Sequence, residues 1–222
     1  MTKLEIMGAP QSPFVWAVRM AACEKGIAFE TSRMRPHEPG IVALNPFGKI
    51  PVMRCGDVEL SESRAIMSYI DQAFEGPALM PRELLANVRA EQWVARMLCE
   101  VMPVLTWRYV AQYIFPSGPD AKPDRAAIDA ALPIVEKHLA ILDRALALTP
   151  YLGGDAFTLA DCYALPILTY TRQMPEGGQF IARLQSLAAY LDREAKRASY
   201  IASTPPPIAD ADRVMPTPQA AA

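Results

Sequence analysis

The chain has 222 residues, 51% of them apolar, with 22 basic against 24 acidic side chains and a formal charge of -2 at pH 7. That length and apolar share are those of a soluble globular protein able to bury one large core or two smaller ones. The near-even charge balance disfavours nucleic acid and membrane surfaces as partners.

The opening "MTKLEIMGAP" holds too short an apolar run for a signal peptide, and no later stretch is apolar for long enough to span a bilayer, so a cytoplasmic protein is expected. Within it "KLEIM" reads as a strand. After Pro13, Val15, Val18 and Ala22 recur at helical spacing until Gly26 ends the run. "IAFETS" is a second strand, followed by a loop holding His37, Pro39 and Gly40. A turn at "NPFGKI", a strand "PVMRC", a Gly-Asp turn and a strand "VEL" come next. Ile66, Tyr69, Ile70 and Ala73 then form one face of a helix. The order βαβ-ββα is that of a small α/β domain over residues 1–76.

"GPALMPREL" reads as a linker, set at 77–84, because two prolines and a glycine interrupt both periodicities. Beyond it, strand signals disappear and an all-helical domain is expected over 85–203. Val94, Met97, Val101 and Leu105 mark a long helix that Pro103 should kink or divide. Ile128, Leu132, Val135, Leu139, Leu142 and Leu146 give a second with a continuous apolar stripe. "FTLADCYALPILTYTR" starts a third, and Ile181, Leu184, Leu187 and Leu191 suggest one or two shorter ones. The Pro- and Ala-rich residues 204–222 show no periodicity and read as an extended or disordered tail.

Cys23, Cys55, Cys99 and Cys162 are scattered without a C-x-x-C pair, and His37 and His138 stand near none of them in sequence, so reduced thiols and no metal are expected. Three other segments can carry chemistry. In "QSPF", Ser12 before Pro13 is a good helix cap, and on local evidence the cap comes first. The same turn exposes free N–H groups and the positive end of a helix dipole, where a serine hydroxyl could donate to an anion. In "NPFGKIP", a cis bond before Pro51 would turn the backbone of Ile50 outward for strand-like pairing with an extended peptide, although a trans proline at an edge strand is commoner. Lys49 is by default a surface lysine. In "ELSESRAI", Ser61 or Ser63 can cap a helix and Glu62 can complement its dipole, yet the Glu62–Ser63 pair also sets a carboxylate, a hydroxyl and free N–H groups side by side.

Together, "SPF", "NPFGKIPV" and "ESRAI" resemble the thioredoxin-like N-terminal domain of the glutathione transferase family in order and spacing, and "FTLADC" is similar to a capping box of its helical domain, with Thr158, Asp161 and Phe157 as cap, return partner and staple. The likeness extends over nearly all the chain but the tail. It implies a thioredoxin-like α/β domain followed by an all-α domain, glutathione as co-substrate, a homodimer and a serine-type mechanism in which Ser12 donates a hydrogen bond to the glutathione thiolate. It further implies that Ser63 and Glu62 meet the γ-glutamyl carboxylate and ammonium, that Ile50 pairs with the cysteinyl backbone, and that Lys49 and His37 meet the glycyl carboxylate. A small electrophilic or apolar second substrate is expected between the domains, near Trp107, Arg108, Tyr109 and Tyr113, with Pro10 and Phe14 opposite; at helical spacing such aromatics are also ordinary core residues. Glutathione-dependent reduction, dehalogenation or isomerisation, and a non-catalytic transferase-like scaffold, are the alternatives. A cysteine-type enzyme is disfavoured, since Cys23 lies well inside the first helix.

Overall fold

A computed structural model describes residues 3–208. They form two compact units: the first runs to Leu79 and resumes at Ala198, and the second is Met80–Arg197. The last helix, grouped with the helical domain on sequence pattern, thus clusters with the first unit. Of the tail, 204–208 carry no helix or strand, and the remainder lies outside the described residues.

In the first unit, strands β1 (Leu4–Met7), β2 (Phe29–Ser32), β3 (Val52–Cys55) and β4 (Val58–Ser61) form one sheet in the order β2-β1-β3-β4. β2 is parallel to β1, while β3 runs antiparallel to both β1 and β4. The α-helical crossover α1 (Pro13–Glu24) makes the parallel pair possible, and Gly56 at φ 61 closes the β3–β4 hairpin. α1 and α3 (Ser63–Ala73) pack on each other and on the strands. α1 buries Val15, Trp16, Ala17, Val18, Met20, Ala21 and Ala22, and α3 buries Ile66, Met67 and Ile70. This is the expected βαβ-ββα arrangement with one addition, a short helix α2 (Pro39–Val42) inside the segment expected as loop. Four residues are too few to show a period, and Pro39 in its first turn is the one local sign.

The exit from α3 is fixed by a buried pair. Lys25 donates to the Asp71 carbonyl at 3.0 Å, and Asp71 Oδ1 accepts from the Leu79 amide at 2.7 Å. Gly76, at φ 120, lies so close that a Cβ there would meet the Lys25 carbonyl at 2.8 Å.

The second unit begins with α4 (Leu84–Arg96), whose N-cap Glu83 accepts from the amides of Leu85 and Ala86. The helix does not divide at Pro103. It continues through wide π-type turns at Met97–Val101 and Pro103–Val110 into α5 (Ala111–Ile114). Pro103 opens the second of these turns, where a missing N–H is tolerated, and Met102 before it keeps helical angles. α6 (Arg125–Leu146) carries its stripe as expected. α7 (Leu159–Gln173) is buried on nearly every side, as suits a central helix. Its capping box forms: Asp161 accepts from the Thr158 amide at 2.9 Å, and also from the Leu152 amide and the Tyr190 hydroxyl. α8 (Pro175–Arg183), α9 (Gln185–Glu194) and, in the first unit, α10 (Ala198–Ser203) are the remaining α-helices among the described residues.

One ionic knot joins three elements of the second unit. Glu176, in the first turn of α8, accepts from the hydroxyls of Tyr109 at 3.0 Å and Tyr113 at 2.5 Å and pairs with Arg125 of α6. Burial opposes its charge, but the hydrogen bonds from Tyr113, Arg125 and Tyr109 outweigh that and hold its carboxyl down at about 2. For Tyr113, burial and the same carboxylate push the phenol up to about 12. A carboxyl so depressed adds stability that is present above its unfolded value of about 4.3 and is lost as pH falls toward 2. Glu176→Gln should therefore cost about 1–2 kcal/mol at pH 7, allowing for solvent screening. Urea unfolding at stepped pH should show that deficit closing between about pH 4 and pH 2.

Candidate functional site

The register of the sheet decides where the candidate segments meet. Met7 ends β1 opposite Ser32, the end of β2, and also opposite Val52, the start of β3. Val52 in turn faces Ser61, the end of β4. The turn holding Ser12, the loop holding His37, the Ile50–Pro51 approach and the Glu62–Ser63 corner therefore all leave the sheet at the same end. An apolar cluster of Met7, Ile41 and Val52, with Met34, Leu44 and Ile50 packed against it, fastens the intervening loop there.

Ser12 is the N-cap of α1, at φ -62 and ψ 128, with Pro13 after it. Its backbone serves the helix: the carbonyl accepts from the Trp16 amide at 2.9 Å, and the amide donates to Ala9 O at 2.9 Å. Its hydroxyl makes no capping bond. The side chain of a residue ideally suited to cap is thus not used for capping, and it stands half-buried at the positive end of a twelve-residue helix.

The Ile50–Pro51 bond is cis. Gly8 brings it up against the Ser12 turn: at φ 149, a Cβ on Gly8 would lie 2.7 Å from Val15 Cγ2 and 3.1 Å from Ile50 Cβ. Glu62 is the N-cap of α3 and takes φ 66 and ψ 114, a region L-residues rarely adopt. It makes no capping bond and is exposed, whereas Ser63 beside it is buried. His37 also has a positive φ of 66, and its amide donates to Gly48 O at 2.8 Å. Its ring lies against Gly48, the neighbour of the exposed Lys49. These contacts hold His37 to the residue that precedes Lys49 in the chain.

The candidates of the second unit fare unequally. Tyr109 is fully buried, donates to Glu176 and accepts from the Gly177 amide at 2.7 Å, so it braces the helical core. Tyr113 is likewise committed to Glu176. Trp107, about half exposed at 52%, and the exposed Arg108 present side chains to solvent. In the first unit, Pro10 and Phe14 flank Ser12 on its own turn and are half-buried. Burial pushes the Cys23 thiol up, against the lowering influence of Arg19, which disfavours it as a nucleophile. Among the described residues, no group of three or more His, Cys, Asp or Glu side chains is placed to hold a metal, and no helix is long and apolar enough to cross a membrane.

Comparison with known proteins decides the family. The model of the glutathione S-transferase N-terminal domain matches residues 11–73, and that of the C-terminal domain matches residues 125–193. The chain belongs to the glutathione S-transferase family. Glutathione S-transferase 3 of Zea mays is 34% identical over 82% of this chain and 85% of its own. A stringent starvation protein A homolog of Pasteurella multocida is 30% identical over 84% of this chain and 82% of its own. Among solved structures, the theta class glutathione S-transferase of Xanthomonas axonopodis pv. citri, with glutathione bound, aligns at a TM-score of 0.74 and 26% identity over 99% of this chain and 100% of that one.

The N-terminal transferase match spans every candidate from Ser12 to Ser63. Two contributors to that end of the unit escaped the sequence reading. Asn45 is buried and holds the turn before Lys49, donating to Lys49 O at 2.9 Å and accepting from the Phe47 amide; the Asn-Pro pair was its signal. Gly8 was the other, signalled by a glycine directly after a strand. Because of the crowding at Gly8, Gly8→Ala must displace either Val15 or Ile50 and strain a positive φ. It should cost about 2–4 kcal/mol in thermal or urea unfolding, and it should weaken retention on immobilised glutathione in whatever fraction still folds.

Proposed function

We propose that the protein conjugates glutathione to a small, largely apolar electrophile, with Ser12 donating the hydrogen bond that stabilises the thiolate. The observation that carries this reading is the Ser12 hydroxyl itself: it stands at the N-terminus of α1 without a capping bond, on the turn that Gly8 holds against Ile50. A free thiol has a pKa of about 8.5, so only a few per cent is thiolate at neutral pH. Lowering that by roughly two units requires about 2.7 kcal/mol, within reach of one charge-assisted hydrogen bond plus a helix-dipole contribution.

The remaining assignments are those that the resemblance to the glutathione transferase family implies for residues at the same end of the unit. Ile50 offers its backbone to the cysteinyl residue of glutathione. Ser63 and its amide receive the γ-glutamyl carboxylate while Glu62 receives the ammonium, and Lys49 with His37 meets the glycyl carboxylate. Pro10 and Phe14 supply apolar surface beside the sulfur, and the assembly is a homodimer. The thiolate attacks the electrophilic carbon, the new carbon–sulfur bond forms as the leaving group departs with its electron pair, and Ser12 keeps its proton throughout.

Likeness to the stringent starvation protein A homolog, whose name states no conjugating activity, sustains a second reading as a transferase-like binding scaffold. Retention on glutathione-agarose and a rise in melting temperature in millimolar glutathione separate the two, and absence of both favours the scaffold. For the enzyme, Ser12→Ala should leave glutathione affinity within about twofold while cutting turnover of an aryl halide about tenfold to a hundredfold at pH 7. Its pH–rate profile should move to higher pH. Unchanged turnover at neutral pH would remove Ser12 from the mechanism.

A further inference from the structure

Helix α1 is gripped along its length by a segment from the other end of the chain. Ser199 of α10 donates its hydroxyl to Glu24 Oε1, at the C-terminal end of α1. The Tyr200 ring packs on Trp16 with centroids 5.5 Å apart, and Trp16 Nε1 donates to Ser203 Oγ at 3.0 Å. Just beyond α10, the Pro206 carbonyl accepts from Gln11 Nε2 at 3.1 Å. As the segment advances from 199 to 206, its partners step back from 24 through 16 to 11. It therefore runs antiparallel to α1 and reaches the residue next to Ser12.

Trp16 joins this segment to Ser12. Its indole is 1% exposed and held by Ser203, while its backbone amide makes the first helical hydrogen bond, to Ser12 O. The first turn of α1 has no side-chain cap to fix it. The buried residues of α1, Val15 to Val18 and Met20 to Ala22, surround nearly the whole helix, and α3, β1 and α10 share that covering. The α10 contacts supply one side of it, and loosening that side would let a small rotation of the helix swing the Ser12 hydroxyl. We propose that residues 198–206 are a brace for α1, and that Trp16 and Ser203 are positioning residues that aim the Ser12 hydroxyl at the glutathione sulfur. This rests on the reading of Ser12 given above. The physical reason is that a hydrogen bond to a thiolate weakens steeply with angle and distance, so a small swing lowers the thiolate fraction without abolishing glutathione binding.

The test titrates the thiol of bound glutathione by its ultraviolet thiolate absorbance in Trp16→Phe, Ser203→Ala and Ser199→Ala, together with steady-state kinetics. Asp161→Asn, in the capping box of the other unit, serves as a control for lost stability. Trp16→Phe and Ser203→Ala should raise the bound thiol's pKa by about half a unit and cut kcat/KM about threefold at pH 6.5, with the glutathione KM changed less than twofold. Ser199→Ala, at the far end of the helix from Ser12, should shift the pKa in the same direction by less. Ser203→Ala removes a buried hydrogen bond and is the variant most exposed to misfolding; Trp16→Phe and Ser199→Ala carry the test without it. An unmoved thiol pKa in folded Trp16→Phe and Ser199→Ala overturns the brace, as does an equal shift in Asp161→Asn. If Ser12→Ala itself leaves the thiol pKa unchanged, the reading of Ser12 has failed and the brace fails with it. A shift in Ser12→Ala alone defeats the brace and leaves that reading standing.

Discussion

The pairing of Met7 with both Ser32 and Val52 is the constraint on which the rest of the first unit depends. Strand register has a period of two, so a slip of one residue at β1 would turn Leu4 and Ile6, both fully buried, onto the opposite face. The apolar residues thus enforce a register for reasons of burial alone. The same register brings four chain segments, separated by up to fifty positions in sequence, to one end of the sheet. The proposed site needs no further device to collect its parts; it needs devices to aim them.

Those devices differ in kind. At Gly8 it is exclusion: the missing Cβ lets Val15 and Ile50 approach to a separation any side chain would prevent. At Asn45 it is satisfaction of buried polar groups, one side chain holding both Lys49 O and the Phe47 amide. For the loop through His37 it is burial of Ile41 against Met7 and Val52. Along α1 it is the C-terminal segment. Each acts through ordinary core physics, so each could be taken for mere stability if the residues it positions were ignored.

How legible this was in the sequence varied with the length scale of the interaction. Alternation and helical spacing sufficed for the four strands, for α1 and α3, and for the stripe of α6, because burial of one face writes a period into the chain. "FTLADC" told of its capping box because Thr158 and Asp161 are three residues apart. Of the two outcomes expected at Pro103, a kink or a division, division does not occur, because π-type turns with no compositional mark accommodate the proline. Helical spacing left Tyr109 open between pocket and core because it does not reveal that the hydroxyl meets a carboxylate 67 positions away. The grip of α10 on α1 was invisible for the same reason, its partners lying 175 to 195 positions apart.

The backbone at Glu62 and His37 carries the argument one step further. Each is a non-glycine residue at φ 66, a conformation that costs an L-residue roughly 1 kcal/mol or more. A turn that needed only this shape would be better served by glycine, as Gly56 serves the hairpin at φ 61 in the same sheet. What glycine would forfeit is the side chain. At His37 that side chain is the ring lying against Gly48; at Glu62 it is an exposed carboxylate that makes no capping bond. Neither side chain is among the fully buried core residues: His37 is half-buried and Glu62 is exposed. Of the four non-glycine residues at positive φ among those described, His37 and Glu62 stand at the end of the sheet where Ser12 and Ile50 emerge, and Asp120 and Ala121 lie in the segment before α6; at the sheet end, side-chain chemistry offers a reason for the unfavourable turns.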